Sequence, residues 1–426
     1  MNELILVFFV SLLFFLFLGV PVSISIGASS LLYIILADIR PLIAIQRMFT
    51  GINSAALLAI PFFILAGDLM NRGGIADRLV KFATVTVGRR TGGMGAIGIV
   101  ASMFFSCISG SGVATAAAIS PIMVPAMVDN GYDKNYSAAV IAAASPLGII
   151  FPPSIAFILY GVMSGSSIID LFLVGIPAGI IVCATLLAAN YFTCRKKGYK
   201  GITDEKIKGE SLKAFKDAIL ALIMPFIIIA GVFAGIFTPT ESAVVAVMYA
   251  LTISLFIFRS MNFKNIPRIL LSSATTSARI MFIMVNASLF AYVLASERIP
   301  QMIAAGLLDL TNNRIILLFL INILLLVIGS FMESGALIII MVPLLVPVVQ
   351  QLGVNLTHFG IIFTVNTAIG LLTPPVGMCI FTVNSVTGAS VQAVFRQILP
   401  FVIAMFIALM IITYIPQSVM FILYLR

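Results

Sequence analysis

The segment Gly148-Ile-Ile-Phe-Pro152-Pro153-Ser154 recurs 222 residues further on as Gly370-Leu-Leu-Thr-Pro374-Pro375. Proline has no backbone N–H, and two in succession unwind a helix. Each copy lies near the middle of a long apolar run, 136–163 in the first case and 359–386 in the second. The reading is therefore of two helices, each broken part-way along. The same offset of 222 relates Pro121-Ile-Met-Val-Pro125 to Pro343-Leu-Leu-Val-Pro347, and Gly131 to Gly353. Upstream, Val20-Pro21-Val22-Ser23 aligns with Thr238-Pro239-Thr240-Glu241. One such match would mean little. Several, in one order and at one spacing, mark an internal repeat.

Composition says what medium the repeat lives in. Of 426 residues, 61% are apolar and only 9% are charged, with a mean hydropathy of +1.20. A water-soluble domain carries roughly 25% charged residues, so this chain belongs in a lipid bilayer, and disorder is excluded on the same grounds. The net charge of +9 does not point to nucleic acid, because the basic residues cluster in short polar segments between apolar runs. Cys107, Cys183, Cys194 and Cys379 show no metal-ligand spacing and read as small core residues. The apolar stretch 4–19 lacks a preceding basic residue and a small-residue cleavage site, so it reads as a retained span, not a signal peptide.

With roughly 20 apolar residues per spanning helix, spans fall near 4–19, 22–36, 52–70, 136–163, 168–193, 217–236, 242–258, 269–294, 359–386 and 398–424. Two apolar stretches, 93–127 and 315–349, are too long for one helix and carry polar centres, Ser109-Gly110-Ser111-Gly112 and Glu333-Ser334-Gly335. Irregular backbone at membrane depth survives only where protein or water satisfies it, so both stretches read as re-entrant hairpins. Each repeat then holds five spans and one hairpin. An odd number of spans makes the second repeat enter the membrane in the opposite sense. The expected fold class is an all-α integral membrane protein with an inverted-topology repeat, the sign of a secondary transporter. The basic segment 195–216, which includes Arg195, Lys196, Lys197, Lys200, Lys206 and Lys208, is expected on the cytoplasmic side. Counting spans outward places Arg72, Arg78, Lys81, Arg89, Arg90, Arg259, Lys264 and Arg268 inside and both termini outside. The segment 203–217, with Asp204, Glu205 and Lys206, is expected as a surface helix.

Chemistry is expected at the breaks and the hairpin tips. Breaks free carbonyl oxygens, and broken-helix transporters coordinate Na⁺ with such oxygens. The first tip adds the hydroxyls of Ser109, Ser111 and Thr115, with Gly110 and Gly112 allowing close backbone approach. No nucleotide-binding motif accompanies it. Glu333 is the only acidic residue after Arg314, and a carboxylate at that depth is a functional hypothesis by default. Half-helix N-termini at both tips suit an anionic substrate. Glu241 reads equally as a helix cap or a functional group. Asp68, Asn71 and Arg72 are expected at a cytoplasmic helix end, and His358 in solvent at a span start.

The run Leu58-Ala-Ile-Pro61-Phe-Phe-Ile-Leu-Ala-Gly67, the tip Ser109-Gly-Ser-Gly112-Val-Ala-Thr115, the two Gly/Pro-Pro segments, the turn Thr238-Pro-Thr-Glu241 and the tip Phe331-Met-Glu333 closely resemble the large membrane subunit, of DctM type, of tripartite ATP-independent periplasmic (TRAP) transporters. The resemblance spans essentially the whole chain. It implies a bacterial inner-membrane, Na⁺-coupled importer of small carboxylates such as C4-dicarboxylates or sialic acid. The implied partners are a small four-helix membrane subunit and a periplasmic substrate-binding protein. The implied mechanism is an elevator, in an architecture like that of divalent-anion/Na⁺ symporters. Scaffold and arm helices would then occupy 1–92 and 217–312, and a transport domain 93–194 and 313–426, joined by the linker 195–216. Carried over by motif, one Na⁺ site would use Ser109, Gly110, Ser111, Gly148, Pro152 and Pro153. A second would use Glu333, Ser334, Gly335, Gly370, Thr373 and Pro374. Substrate would sit between the tips near Thr115, Ser154, Pro375 and Gly377. Many members of the family carry Asp where Thr115 stands.

Two rivals follow from the same residues: a symporter that needs no partner proteins, and an intramembrane enzyme. The second would require paired acids or a histidine base, which a single His and few buried acids do not provide. If the hydroxyls at the breaks supplement freed carbonyls, Ser111→Ala and Thr373→Ala should each raise the Na⁺ concentration needed for half-maximal uptake into proteoliposomes, with membrane insertion intact. An unchanged Na⁺ response in both variants would remove these positions from the ion sites.

Overall fold

The computed structural model describes residues 3–201, 207–310 and 313–425, and every regular element among them is helical. Helices satisfy all their backbone groups within one segment, as lipid requires. The first half runs through Glu3–Phe17, Val22–Leu36, Pro41–Ile52, Ala59–Arg72 and Ile75–Val87. It continues with the paired arms Gly93–Ser109 and Gly112–Asp129, the broken helix Lys134–Ala144, Leu147–Ile150 and Ile155–Ser164, and then Ile168–Lys197. The second half repeats the order: Ile207–Phe233, Pro239–Thr252, Ile266–Ser296 and Ile299–Leu310, the arms Arg314–Gly329 and Ser334–Gln351, the broken helix Leu356–Gly370 and Met378–Thr387, and Val391–Tyr414. Among the described residues, seven helices are long and apolar enough to cross a membrane. The first broken helix, bent by 42°, makes an eighth when counted as one span.

Three stretches that read as connections are helices: Pro41–Ile52, Ile75–Val87 and Ile299–Leu310. Each has 12 or 13 residues, too few to span. Ile75–Val87 buries Ile75, Ala76, Leu79 and Ala83 while Asp77 and Lys81 stay exposed. A polar face of that kind interrupts an apolar run without ending a helix, so a search for apolar runs passes over it. These helices also complete the repeat. Ile75–Val87 corresponds to Ile299–Leu310, and Pro41–Ile52 with Ala59–Arg72 corresponds to the single helix Ile266–Ser296. Of the charged segment 203–217, Asp204, Glu205 and Lys206 lie outside the described residues, and from Ile207 onward the backbone belongs to the helix Ile207–Phe233.

Local chemistry sets several helix ends. Asp133 accepts from the Tyr136 amide at 2.8 Å, and Asn355 from the Thr357 amide at 2.8 Å. Thr238 and Glu241 form a reciprocal cap: the Thr238 amide donates to Glu241 Oε2 at 2.7 Å, and the Glu241 amide donates to Thr238 Oγ1 at 3.2 Å. The capping role of Glu241 is thereby established. His358 is a correction. It is not solvated but 2% exposed, with Nε2 at 2.8 Å from the Ile412 carbonyl oxygen. Its helix, Leu356–Gly370, is buried along almost its whole length by the second hairpin and Val391–Tyr414.

The broken helices occupy the centre. Ala138, Ala139, Ala142, Ala143 and Ala144 of the first are fully buried, and side chains this small let helices approach closely in lipid. Two glycines, 222 residues apart, bring each broken helix against a hairpin tip. A Cβ on Gly148 would stand 2.5 Å from the Ser111 carbonyl oxygen, and one on Gly370 would stand 2.6 Å from the Gly329 carbonyl oxygen. Both obstacles are backbone and cannot swing aside. Gly148→Ala and Gly370→Ala should each destabilise the protein by about 1–3 kcal/mol, read as an earlier thermal unfolding midpoint in detergent. Gly306→Ala is the control, because a Cβ there meets nothing within 4 Å. Equal midpoints for all three variants would show that the tips are not seated as described.

Candidate functional site

The first tip is formed by local bonds. Gly110, at φ +61°, ends one arm, and Ser111 opens the other, its Oγ accepting from the Ala114 amide at 3.4 Å. Thr115 Oγ1 donates to the Ser111 carbonyl at 2.9 Å and lies 2.9 Å from Ser109 Oγ. The tip rests on the first break. The Ile155 amide donates to the Gly110 carbonyl at 3.4 Å, and a Cβ on Gly110 would stand 2.9 Å from the Pro153 carbonyl oxygen. Ser109, Gly110 and Ser111 are thus brought together with Gly148 and Pro153. Pro152, Pro153 and Ser154 are buried, and the Ser154 hydroxyl donates to the Ile149 carbonyl at 2.6 Å.

The second tip is arranged differently. Its contacts with the second break run through Gly329, which faces Gly370, and through Ser330, whose carbonyl accepts from the Val376 amide at 3.3 Å. Glu333, Ser334 and Gly335 face a cavity instead. Gly335 lies toward Leu159 of the first broken helix, while Gly112 of the first tip lies toward Leu371 of the second. The two tips therefore cross, each touching the broken helix of the other repeat. Thr373 Oγ1 donates to the Ile369 carbonyl at 2.8 Å, and Pro374 and Pro375 are exposed where their counterparts Pro152 and Pro153 are buried.

Between the tips lies a cavity of about 570 Å³. One wall is made by Ser109, Ser111 and Glu333 with their neighbours, and the other by helices Ala59–Arg72 and Ile266–Ser296. Three ionisable groups line it: Asp68, Arg279 and Glu333. Asp68 Oδ2 accepts from Ser273 Oγ at 2.6 Å. Arg279 is exposed to the cavity and, among the described residues, has no hydrogen bond or ion pair. Its guanidinium offers a fork of donors suited to a carboxylate. Glu333 is open to the same space. The rest of the lining is mostly apolar, with Ile64, Phe105, Ile149, Ile280 and Ile283.

Asp68 and Asn71 are a second correction, since they line this cavity and are not merely at a helix end. Thr115, Ser154, Pro375 and Gly377, expected to touch substrate, do not line it: Thr115 and Ser154 are fully buried, and Gly377 packs on the Phe395 ring. Thr276 and Arg279 went unnoticed in the sequence. The signal was present, because Arg279 is the only charged residue in the span 269–294, and a lone charge inside a span is a functional marker.

Comparison with known proteins agrees with this architecture. Residues 9–418 match the family described as the DctM component of tripartite ATP-independent periplasmic transporters. The isethionate TRAP transporter permease DctMQ of Oleidesulfovibrio alaskensis is 40% identical over 412 residues, covering 96% of this chain and 64% of that protein. The sialic acid TRAP transporter large permease SiaM of Vibrio cholerae is 38% identical, covering 94% of each chain. The C4-dicarboxylate large permease DctM of Rhodobacter capsulatus is 36% identical, covering 93% of this chain and 94% of that one. Among solved structures, the Alcanivorax borkumensis YdaH transporter superposes with a TM-score of 0.59 at 14% identity, over 87% of this chain and 88% of that one. Neisseria gonorrhoeae MtrF gives 0.59 at 14% identity, over 90% and 83%. These two likenesses speak to the fold alone. The chain belongs to the DctM family: it is the large permease subunit of a bacterial TRAP transporter, a multi-pass membrane transport protein and not an enzyme.

Proposed function

We propose that this subunit imports a small carboxylate across the bacterial inner membrane, driven by Na⁺, and that both its termini face the periplasm. The observation that carries the reading is the central cavity. It gathers both hairpin tips, parts of both broken helices and one guanidinium, unpaired among the described residues, at the junction of the two repeats. Inverted-repeat transporters place substrate and coupling ions at such a junction. Arg279 supplies the fixed positive charge that an anion leaving water requires. Na⁺ is cargo in this scheme, and the oxygens offered to it are those at the tips and breaks: the Ser111 carbonyl, the hydroxyls of Ser109, Ser111 and Thr115, and Thr373 Oγ1. Glu333 balances a cation arriving beside it.

An elevator fits the division of the cavity walls. One wall belongs to the tips and broken helices, within 93–194 and 313–426, and the other to helices from 1–92 and 217–312. Sliding the first group past the second would carry the bound anion from one face to the other. Capture at low concentration is assigned to a periplasmic binding protein, and a small four-helix subunit completes the complex. Three relatives that the chain resembles are permeases named for isethionate, sialic acid and C4-dicarboxylates, all small organic acids. Reconstitution with a binding protein and the small subunit, with and without a Na⁺ gradient, tests the scheme. Uptake unaffected by Na⁺ would refute coupling, and full uptake by this chain alone at low substrate would favour a stand-alone symporter.

Two variants separate the roles in the cavity. Arg279→Gln should raise the substrate concentration for half-maximal uptake by roughly 10-fold or more, the value of one charge-assisted hydrogen bond or a pair of them, while leaving the Na⁺ dependence unchanged. Arg279→Lys should rescue only part of this, since an ammonium cannot offer the planar fork. Glu333→Ala should abolish Na⁺-driven uptake, and Glu333→Gln should keep a weak activity because the amide still offers an oxygen. Normal transport by Glu333→Gln at unchanged Na⁺ affinity would reduce Glu333 to a structural residue.

A further inference from the structure

A second cavity, of about 690 Å³, lies beside the amphipathic helix Ile75–Val87 and shares no lining residue with the central one. Its polar side carries Arg78 and Lys81, one turn apart, with Asp77 as the single carboxylate among the described residues. Its other side is apolar, made by Leu220, Ile257 and Phe258. The helix Pro239–Thr252 reaches this point through one wide π-helical turn, Ile253–Ile257, a distortion that often accompanies binding sites. Ser260 Oγ then donates to the Gly73 carbonyl at 2.8 Å. That bond joins two basic segments distant in sequence, one with Arg72, Arg78 and Lys81 and the other with Arg259, Lys264 and Arg268. Such a concentration of basic residues marks the cytoplasmic face of a membrane protein.

Arg78 is held in position. Nη1 donates to the Gly74 carbonyl at 2.8 Å, and the guanidinium carbon sits 3.6 Å from the centre of the Phe258 ring. Among the described residues, four of its five N–H donors are left for another partner. The shared chemistry of the cations is that of a phosphate site. The apolar wall decides its source, because a free phosphate has no use for Leu220 and Ile257, the latter 53% exposed. We propose that this cavity binds the headgroup of an anionic phospholipid of the cytoplasmic leaflet, with the phosphodiester between Arg78 and Lys81 and an acyl chain along Leu220 and Ile257. The site would tie the helix Ile75–Val87 to the bilayer and is independent of what the central cavity carries.

Native mass spectrometry of the full chain, released from bilayers of phosphatidylglycerol mixed with phosphatidylcholine, tests this. The wild-type chain should retain phosphatidylglycerol in preference. Lys81→Gln should lower that retention by about 5-fold, the equivalent of roughly 1 kcal/mol per basic residue at an anionic surface. Lys81 is exposed, so its loss leaves the fold intact, and Arg78→Gln with Lys81→Gln should lower retention further. Lys264→Gln, on the same face and outside the cavity lining, should stay within about twofold of wild type. Equal retention of both lipids by the wild-type chain, or equal losses in Lys81→Gln and Lys264→Gln, would overturn the proposal. Displacement of phosphatidylglycerol by millimolar inorganic phosphate would overturn it in favour of a free-anion site.

Discussion

A peptide group in hydrocarbon must find its hydrogen bond within the protein, at a cost of several kcal/mol if it does not. The rest of this structure depends on that constraint. A helix may be opened at membrane depth only where something else closes over the opening. Here the hairpin tips close it, reaching the breaks through backbone contacts: the Ile155 amide on the Gly110 carbonyl, and the Val376 amide on the Ser330 carbonyl. Gly148 and Gly370 are required because a tip cannot come so near a residue that carries a Cβ. The polar groups that the tips expose to the central cavity, Ser109, Ser111 and Glu333 among them, are thus the remainder left by two mutually satisfied openings.

The two repeats solve this problem alike and then diverge in chemistry. Ser145 and Thr367, equivalent by the repeat, each donate to the carbonyl one turn back, to Ile141 at 2.6 Å and Phe363 at 2.9 Å. Ser111 and Glu333 are likewise equivalent, each standing at the N-terminal end of the descending arm. One offers a hydroxyl and a carbonyl, the other a carboxylate. Thr115 matches Leu337, so the hydroxyl pair that stiffens the first tip has no counterpart in the second. Symmetry supplies the location, and single substitutions within it supply different electrostatics at the two ends of one cavity.

The fold was largely legible because the bilayer enforces a simple code: apolar run, break, apolar run. The tips were legible because glycine, serine and glutamate are out of place at such depth. Other features were hidden for definite reasons. The helices Pro41–Ile52, Ile75–Val87 and Ile299–Leu310 mix polar and apolar residues at a helical period over only 12 or 13 residues, so none contains an apolar run long enough to read as a span. Asp68 and Asn71 sit within a few residues of a helix end, where polar groups are ordinary, and only the packing of Ile266–Ser296 against Ala59–Arg72 turns them into cavity lining. His358 looked like a boundary residue, yet its burial depends on Val391–Tyr414, which follows much later in the chain. Contacts made across the repeat leave no local trace in the sequence.

One asymmetry has a mechanical meaning. The helix Ile266–Ser296 runs unbroken for 31 residues, about 46 Å at 1.5 Å per residue. Its repeat partner is interrupted between Ile52 and Ala59, and the interruption is pinned where Thr240 Oγ1 donates to the Ala55 carbonyl at 2.8 Å. A continuous hydrogen-bond ladder resists bending, whereas an interrupted one yields at the gap. The two halves therefore share a topology but not a stiffness. Arg279 rides on the uninterrupted member and Asp68 on the jointed one, so flexure of the frame at the gap would alter the spacing of opposite charges while leaving the guanidinium on a continuous helix.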